Sequence, residues 1–166
     1  PKDGASLVLT IDYNIQLKAE AILREARDKW KAAAGSVLIL DPASGKILAL
    51  ANQPGFNPNE FFKEKDYSVF INPLVESMYE LGSVVKPITI AAALNEGIIK
   101  PESTYNDEGV VSMAGYSIEN ADGKKHGVQT MTQVLEKSLN TGAVHVSKLL
   151  GKDRQWSYFK KFGFGS

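Results

Sequence analysis

The chain has 166 residues, 43% of them hydrophobic, which is enough for a domain with a real core. Lys+Arg and Asp+Glu balance at 19 each, so no electrostatic footprint for nucleic acid or an anionic membrane surface is present. There is no cysteine, which excludes thiolate catalysis and disulfides and leaves the compartment open.

Pro1-Lys2-Asp3-Gly4 reads as linker, assigned here to residues 1–5. Leu7 to Thr10 reads as a short strand, and Asp12 as the cap of the helix that follows. Ile15, Ala19, Ile22, Ala26, Trp30 and Ala33 recur on one helical face, and Gly35 is expected to stop that helix. "SVLIL" and "KILALA" flank the turn residues "DPASG" and predict a hairpin, with Asp41 in the turn. Both strands are apolar on both faces, so they are expected to be covered on both sides. Residues 52–60, "NQPGFNPNE", read as loop, and residues 101–127 as loop with one small hairpin. Thr130 caps "MTQVLEKSLN", a second helix begins at Asn140, and "DRQWSYFKKFG" forms the last. Trp30 and Trp156 are expected as core anchors and His145 as a packed histidine. His126 and His145 show no metal-ligating pattern with His, Asp or Glu at helix-face spacing.

The stretch "YELGSVVKPITIAAAL", residues 79–94, poses the chemical question. Ser83 and Lys86 lie one turn apart and so face the same way. Gly82 precedes them and Pro87, tolerated only in a first turn, follows. Ser83 is thus expected at a helix N-terminus, where free N–H groups favour a developing alkoxide. Lys86 would serve as its base if its pKa fell by roughly 3 units, about 4 kcal/mol. The competing reading is a capping serine beside a lysine that reaches into solvent. Spacing does not choose between them, since Ser157 and Lys160 repeat S-x-x-K in mid-helix, where a solvated face is expected. A second feature, Ser138-Leu139-Asn140, puts a hydroxyl and a carboxamide at the junction of two helices, where a proton relay and a capping asparagine are both open.

The order of these pieces resembles a known family. "LTIDYNIQLKAE", "GSVLILDPASGKILALANQPGFNPN", "YELGSVVKPITIAAAL", "LEKSLNTGAVHVSKLLG" and "FGFG" are similar, in sequence order, to the transpeptidase domain of class B penicillin-binding proteins, the division or elongation type. The resemblance implies an α/β (α+β) fold of the β-lactamase/transpeptidase kind, with helices around a central antiparallel sheet. It implies Ser83 as the acylated nucleophile and Lys86 as general base. Ser138 would relay the proton, and Asn140 would hold Lys86 and the substrate amide. The implied partners are a D-alanyl-D-alanine stem peptide of peptidoglycan and the β-lactams that mimic it, with no cofactor and no nucleic acid. The implied setting is a membrane-anchored protein at the extracytoplasmic face of the bacterial membrane.

The chain departs from the family in places. Leu81 stands where proline is usual, Pro73 where arginine is frequent, and Val85 where an aromatic or methionine is common. The third family motif, Lys-(Thr/Ser)-Gly, has no counterpart. Lys125-His126-Gly127 and Lys161-Phe162-Gly163 lack the small hydroxyl. The expectation is therefore a partial transpeptidase domain over residues 1–166, with the inner C-terminal strands absent and little activity by itself. Loss of one oxyanion donor alone costs about 3–4 kcal/mol, or 10²–10³ in rate. An uncovered sheet edge would seek the missing C-terminal segment or a second copy, and light scattering of a dilute sample would reveal self-association. Two rivals are a class D-like serine β-lactamase or β-lactam sensor and a noncatalytic scaffold. Asn140 speaks against the first, which calls for an apolar residue there. The lifetime of a penicilloyl adduct separates transpeptidase from hydrolase.

Overall fold

A computed structural model describes residues 4–165. Most of the linker expected over residues 1–5 lies outside the described residues, and Gly4 and Ala5 are irregular and exposed. The chain divides into two compact units, residues 1–79 and 80–166.

In the first unit helix α1, Tyr13–Trp30, lies on a hairpin of β1, Gly35–Leu40, and β2, Ile47–Gln53. Asp12 caps α1 as expected, accepting from the N–H groups of Asn14 and Ile15 at 2.9 and 3.0 Å. The helix stops four residues before Gly35: Lys31 takes a left-handed conformation (φ 50°) and closes it, and Gly35 opens β1. The face that α1 buries is centred on Ala19 and Leu23, and Ile22 and Trp30 on the expected stripe are exposed. Gln16 explains the rotation. Its carboxamide donates to Leu50 O at 2.9 Å and accepts from Leu50 N at 2.8 Å, so a polar side chain takes a place beside the sheet. Leu7, Val8 and Leu9 form no strand and are exposed.

The hairpin is where the pattern put it. Asp41 holds its turn, bonding Ala43 N and the Ser44 hydroxyl. The two-sided covering is not met on β1, whose residues alternate, with Leu38 and Leu40 exposed. Continuous apolar runs signal burial only when something packs on each face. A short helix α2, Pro73–Glu76, with Asn72 as its cap, follows two 3-10 turns, Pro58–Lys63 and Tyr67–Phe70, and completes this unit; the first turn begins inside the loop expected over 52–60.

In the second unit a 3-10 turn, Gly82–Val85, runs directly into helix α3, Lys86–Asn95. The segment 101–127 holds more order than a loop. Strand β3, Thr104–Asp107, pairs antiparallel with β6, Gly127–Thr130, and β4, Val110–Met113, pairs with β5, Tyr116–Glu119. Ala114 and Gly115, both at positive φ (51° and 84°), make the two-residue β4–β5 turn. The described residues thus carry three two-stranded antiparallel sheets among helices, the mixed class that was expected.

Helices α4, Met131–Glu136, α5, Asn140–Leu150, and α6, Lys152–Lys161, follow. The core joins Ile90, Ala92 and Ala93 of α3 to Met131 and Val134 of α4 and to Val146 and Leu150 of α5, with Tyr105 from β3. Trp156, expected in this core, is half exposed. Thr130 heads α4 with a reciprocal cap: its hydroxyl accepts from Gln133 N at 3.2 Å, and Gln133 Oε1 accepts from Thr130 N at 2.8 Å. Thr130→Ala should cost about 1 kcal/mol, seen as a lower urea midpoint at unchanged slope.

Candidate functional site

Lys86 opens α3 and is buried, at 9% exposure. Its ammonium does not reach solvent in the way an amphipathic surface lysine does. Nζ donates to Ser138 O at 2.6 Å, to Ser138 Oγ at 3.0 Å and to Asn140 Oδ1 at 2.6 Å. Those three acceptors match the three N–H donors of an ammonium. Burial pushes the Lys86 pKa down from the ordinary lysine value. The acceptors favour the charged form and work against that, but the net direction is downward.

Ser83 sits in the 3-10 turn one step before α3. Its hydroxyl caps neither the turn nor α3, since neither has a side-chain cap. Gly82, at φ 64°, makes the bend into this turn. Ser83 is exposed, and with Lys86 and Asn140 it lines one cavity of about 360 Å³, floored by Thr89, Ile118 and Ala143. Glu80, three residues before Ser83, is exposed and not among the lining residues.

Asn140 reaches this cavity, and Ser138 reaches Lys86, through the way α4 ends. Leu139 N bonds Val134 O at 2.9 Å and Ser138 N bonds Leu135 O at 3.1 Å, the paired bonds of a Schellman stop. That motif needs a left-handed residue, usually glycine, and Ser138 occupies it at φ 53°. The conformation aims both the carbonyl and the hydroxyl of one residue at Lys86. A left-handed non-glycine residue costs about 1–2 kcal/mol. Ser138→Gly should therefore be about 1 kcal/mol more stable than Ser138→Ala in urea unfolding, because both lack the hydroxyl and only alanine keeps the strain.

Asn140 is the first residue of α5 and does not cap it. Its amide Nδ2 donates to Glu119 O at 2.7 Å, and Oδ1 accepts from Lys86. Behind it lies a buried group that the sequence reading missed. Asp107, fully buried, accepts from Thr141 Oγ1 at 2.7 Å, Gly109 N at 2.9 Å, Asn120 Nδ2 at 2.8 Å and His126 N at 3.2 Å. Burial would raise its pKa, but these donors outweigh burial and hold the carboxyl below the ordinary value. With the folded-state pKa depressed, its contribution to stability is complete above about pH 4 and lost as pH falls through the lowered value. Asp107→Asn should flatten the acid limb of a stability-versus-pH curve. No signal in the sequence marks it: Thr104–Asp107 holds one large apolar residue, Tyr105, and the alternation of exposed and buried positions belongs to the folded strand.

The other candidates stay apart. Ser157 and Lys160 are exposed on α6, as expected for a solvated face. His145 stacks on Tyr105 with ring centroids 5.3 Å apart, and burial lowers its pKa. His126 does have an acidic partner four residues away, Asp122 Oδ2 at 3.0 Å, which the sequence reading overlooked because the pair lies in a loop. Among the described residues no cluster of three or more His, Cys, Asp or Glu is placed to hold a metal, and no helix is long and apolar enough to cross a membrane.

Comparison with known proteins gives a consistent picture. Residues 35–166 match the family model of the penicillin binding protein transpeptidase domain. The chain is 35% identical over 167 residues to stage V sporulation protein D of Bacillus subtilis, covering 99% of this chain and 26% of that protein. It is 33% identical over 178 residues to the peptidoglycan D,D-transpeptidase MrdA of Escherichia coli, covering 99% and 27%. A solved structure of a peptidoglycan glycosyltransferase from Burkholderia ambifaria superposes with a TM-score of 0.82 at 28% identity, over 96% of this chain and 46% of that one. The chain thus spans about a quarter of the length of these curated relatives. A family match over four-fifths of the residues, with the same fold in a solved relative, establishes that the chain belongs to the penicillin-binding protein transpeptidase family.

Proposed function

We propose that this chain carries the nucleophile-bearing part of a peptidoglycan D,D-transpeptidase that works through an acyl-serine. The observation that supports this most directly is the buried Lys86 amine, held by Ser138 and Asn140 in the cavity that Ser83 lines. The substrate is a stem peptide ending in D-alanyl-D-alanine, and a β-lactam is its mimic. The protein works at the extracytoplasmic face of the bacterial membrane.

Ser83 Oγ attacks the carbonyl carbon of the penultimate D-alanine. Its proton passes to neutral Lys86, and the oxyanion is met by the backbone N–H of Ser83. Collapse breaks the peptide bond and expels the terminal D-alanine, whose amine takes a proton from the Lys86 side. Ser138 is suited to carry it. A neutral Lys86 has two N–H donors, which stay with Ser138 O and Asn140 Oδ1, and the Ser138 hydroxyl alone of the three partners can reverse and donate. The acyl group then passes to the amine of a second stem peptide and regenerates Ser83.

The test is labelling by a fluorescent penicillin in the longest natural polypeptide that contains this sequence. Covalent label is expected on wild type and none on Ser83→Ala. Label that survives Ser83→Ala removes Ser83 from the mechanism. The rate of labelling should rise with pH, because the neutral amine is the base, and its midpoint should lie below the ordinary lysine value of about 10.4.

A further inference from the structure

One of the Lys86 partners, Asn140, is itself held from behind, and the bonds in that support have clear directions. The Thr141 hydroxyl donates chiefly to Asp107 at 2.7 Å, with Asn120 Oδ1 a longer second acceptor at 3.2 Å, and the Tyr105 hydroxyl donates into Thr141 Oγ1 at 3.2 Å. Asp107 is ringed by donors, so it acts as an ionised acceptor. Asn120 bridges the same group: its Nδ2 donates to Asp107 and to Lys124 O at 3.1 Å, and its Oδ1 accepts from Thr141 N at 3.3 Å. Asp107, Asn120 and Thr141 are all buried.

This cluster lies one residue from the site at two points. Thr141 follows Asn140, and Asn120 follows Glu119. Neighbouring residues of α5 are thereby stitched to neighbouring residues at the end of β5: Thr141 N to Asn120 Oδ1, and Asn140 Nδ2 to Glu119 O. A carbonyl oxygen only accepts, so Glu119 O selects the N-side of the Asn140 amide and leaves Oδ1 facing Lys86. We infer that the buried Asp107–Thr141–Asn120 cluster is a positioning device that orients the Asn140 amide toward Lys86 and so sets the rate of acylation at Ser83. The device acts through geometry. None of its three side chains bonds Lys86 or Ser83 directly among the described hydrogen bonds.

This inference rests on the acyl-serine reading for its rate claim, and the two are separated by measuring structure and rate independently. In the 166-residue chain labelled with ¹⁵N-asparagine, exchange of the Asn140 side-chain amide hydrogens is followed by NMR. Thr141→Val, which keeps shape and loses the hydroxyl, should speed that exchange by about tenfold, and Thr141→Ser should restore it. Unchanged exchange in Thr141→Val would overturn the inference even if the variant melts earlier. Should Thr141→Val not fold, Tyr105→Phe removes only the outer donor. It should speed exchange by about threefold, and no change would count against the cluster. In the longer polypeptide, at a temperature where circular dichroism shows full folding, Thr141→Val should slow penicillin labelling by about tenfold and Thr141→Ser should recover it. Amide exchange that moves without the labelling rate overturns the positioning claim. A wild type that takes no label defeats the acyl-serine reading and leaves the exchange result to judge the cluster alone.

Discussion

Lys86→Met is expected to slow acylation of Ser83 by about 10²–10⁴-fold, the range a general base contributes. Methionine fills nearly the same volume but cannot accept the serine proton. The fold should survive. Ser138 O, Ser138 Oγ and Asn140 Oδ1 lose their common donor, but Asn140 and residue 86 line an open cavity of about 360 Å³ from which water can enter and bond them. The stability cost is therefore on the order of 1–2 kcal/mol, well below that of an orphaned charge. Lys86→Arg sharpens the test. It keeps the positive charge, and arginine does not give up a proton in proteins. If charge alone mattered, arginine would support labelling. If a base is needed, arginine fails like methionine, and the rise of rate with pH disappears in both. Rapid labelling of either variant would remove Lys86 from the proton transfer.

Gly142→Ala is expected to destabilise the chain by about 1–3 kcal/mol, against the gain that alanine brings to an ordinary helix. A Cβ at this position would lie 2.5 and 2.9 Å from the two Val134 methyls and 2.8 Å from the Tyr105 hydroxyl. Val134 has no exposed surface and nowhere to move. The relief must come from α5, which shifts away from α4 and carries Asn140 and Thr141 with it. Labelling should therefore fall along with stability. The double variant Gly142→Ala/Val134→Ala should recover much of the urea midpoint, since the clash and the cavity offset each other. Simple additivity in that cycle would show that the helix absorbs the methyl elsewhere.

Local signals carried well where the chemistry is local. Asp12, Thr130 and the turn at Asp41 each satisfy backbone groups within a few residues, and each was legible for that reason. The stretch 101–127 was legible only in its one small hairpin, which is β4–β5. β3 pairs with a partner twenty or more residues away, and neither periodicity nor a turn signal announces that pair. The α1 stripe was misjudged by about one position, because a glutamine, read as polar, bonds the sheet backbone. Leu7–Leu9, read as a strand, and the outer face of β1, read as covered, show the opposite error: these apolar residues are exposed.

The amino-acid sequence alone determined the local elements: which residues could begin and end helices, where the first hairpin turns, and that a hydroxyl and an amine stand one helical turn apart. It also carried the family resemblance, through the order of its motifs. Tertiary structure decided what the Lys86 amine touches, that Ser138 stands in a left-handed stop, and that Asp107 is a buried acceptor behind Asn140. The division has a physical cause. Caps and turns are settled over three or four residues by backbone donors seeking acceptors. A lysine 52 residues from its hydroxyl partner, or a carboxylate 34 residues from its threonine, finds it only once the intervening chain has folded.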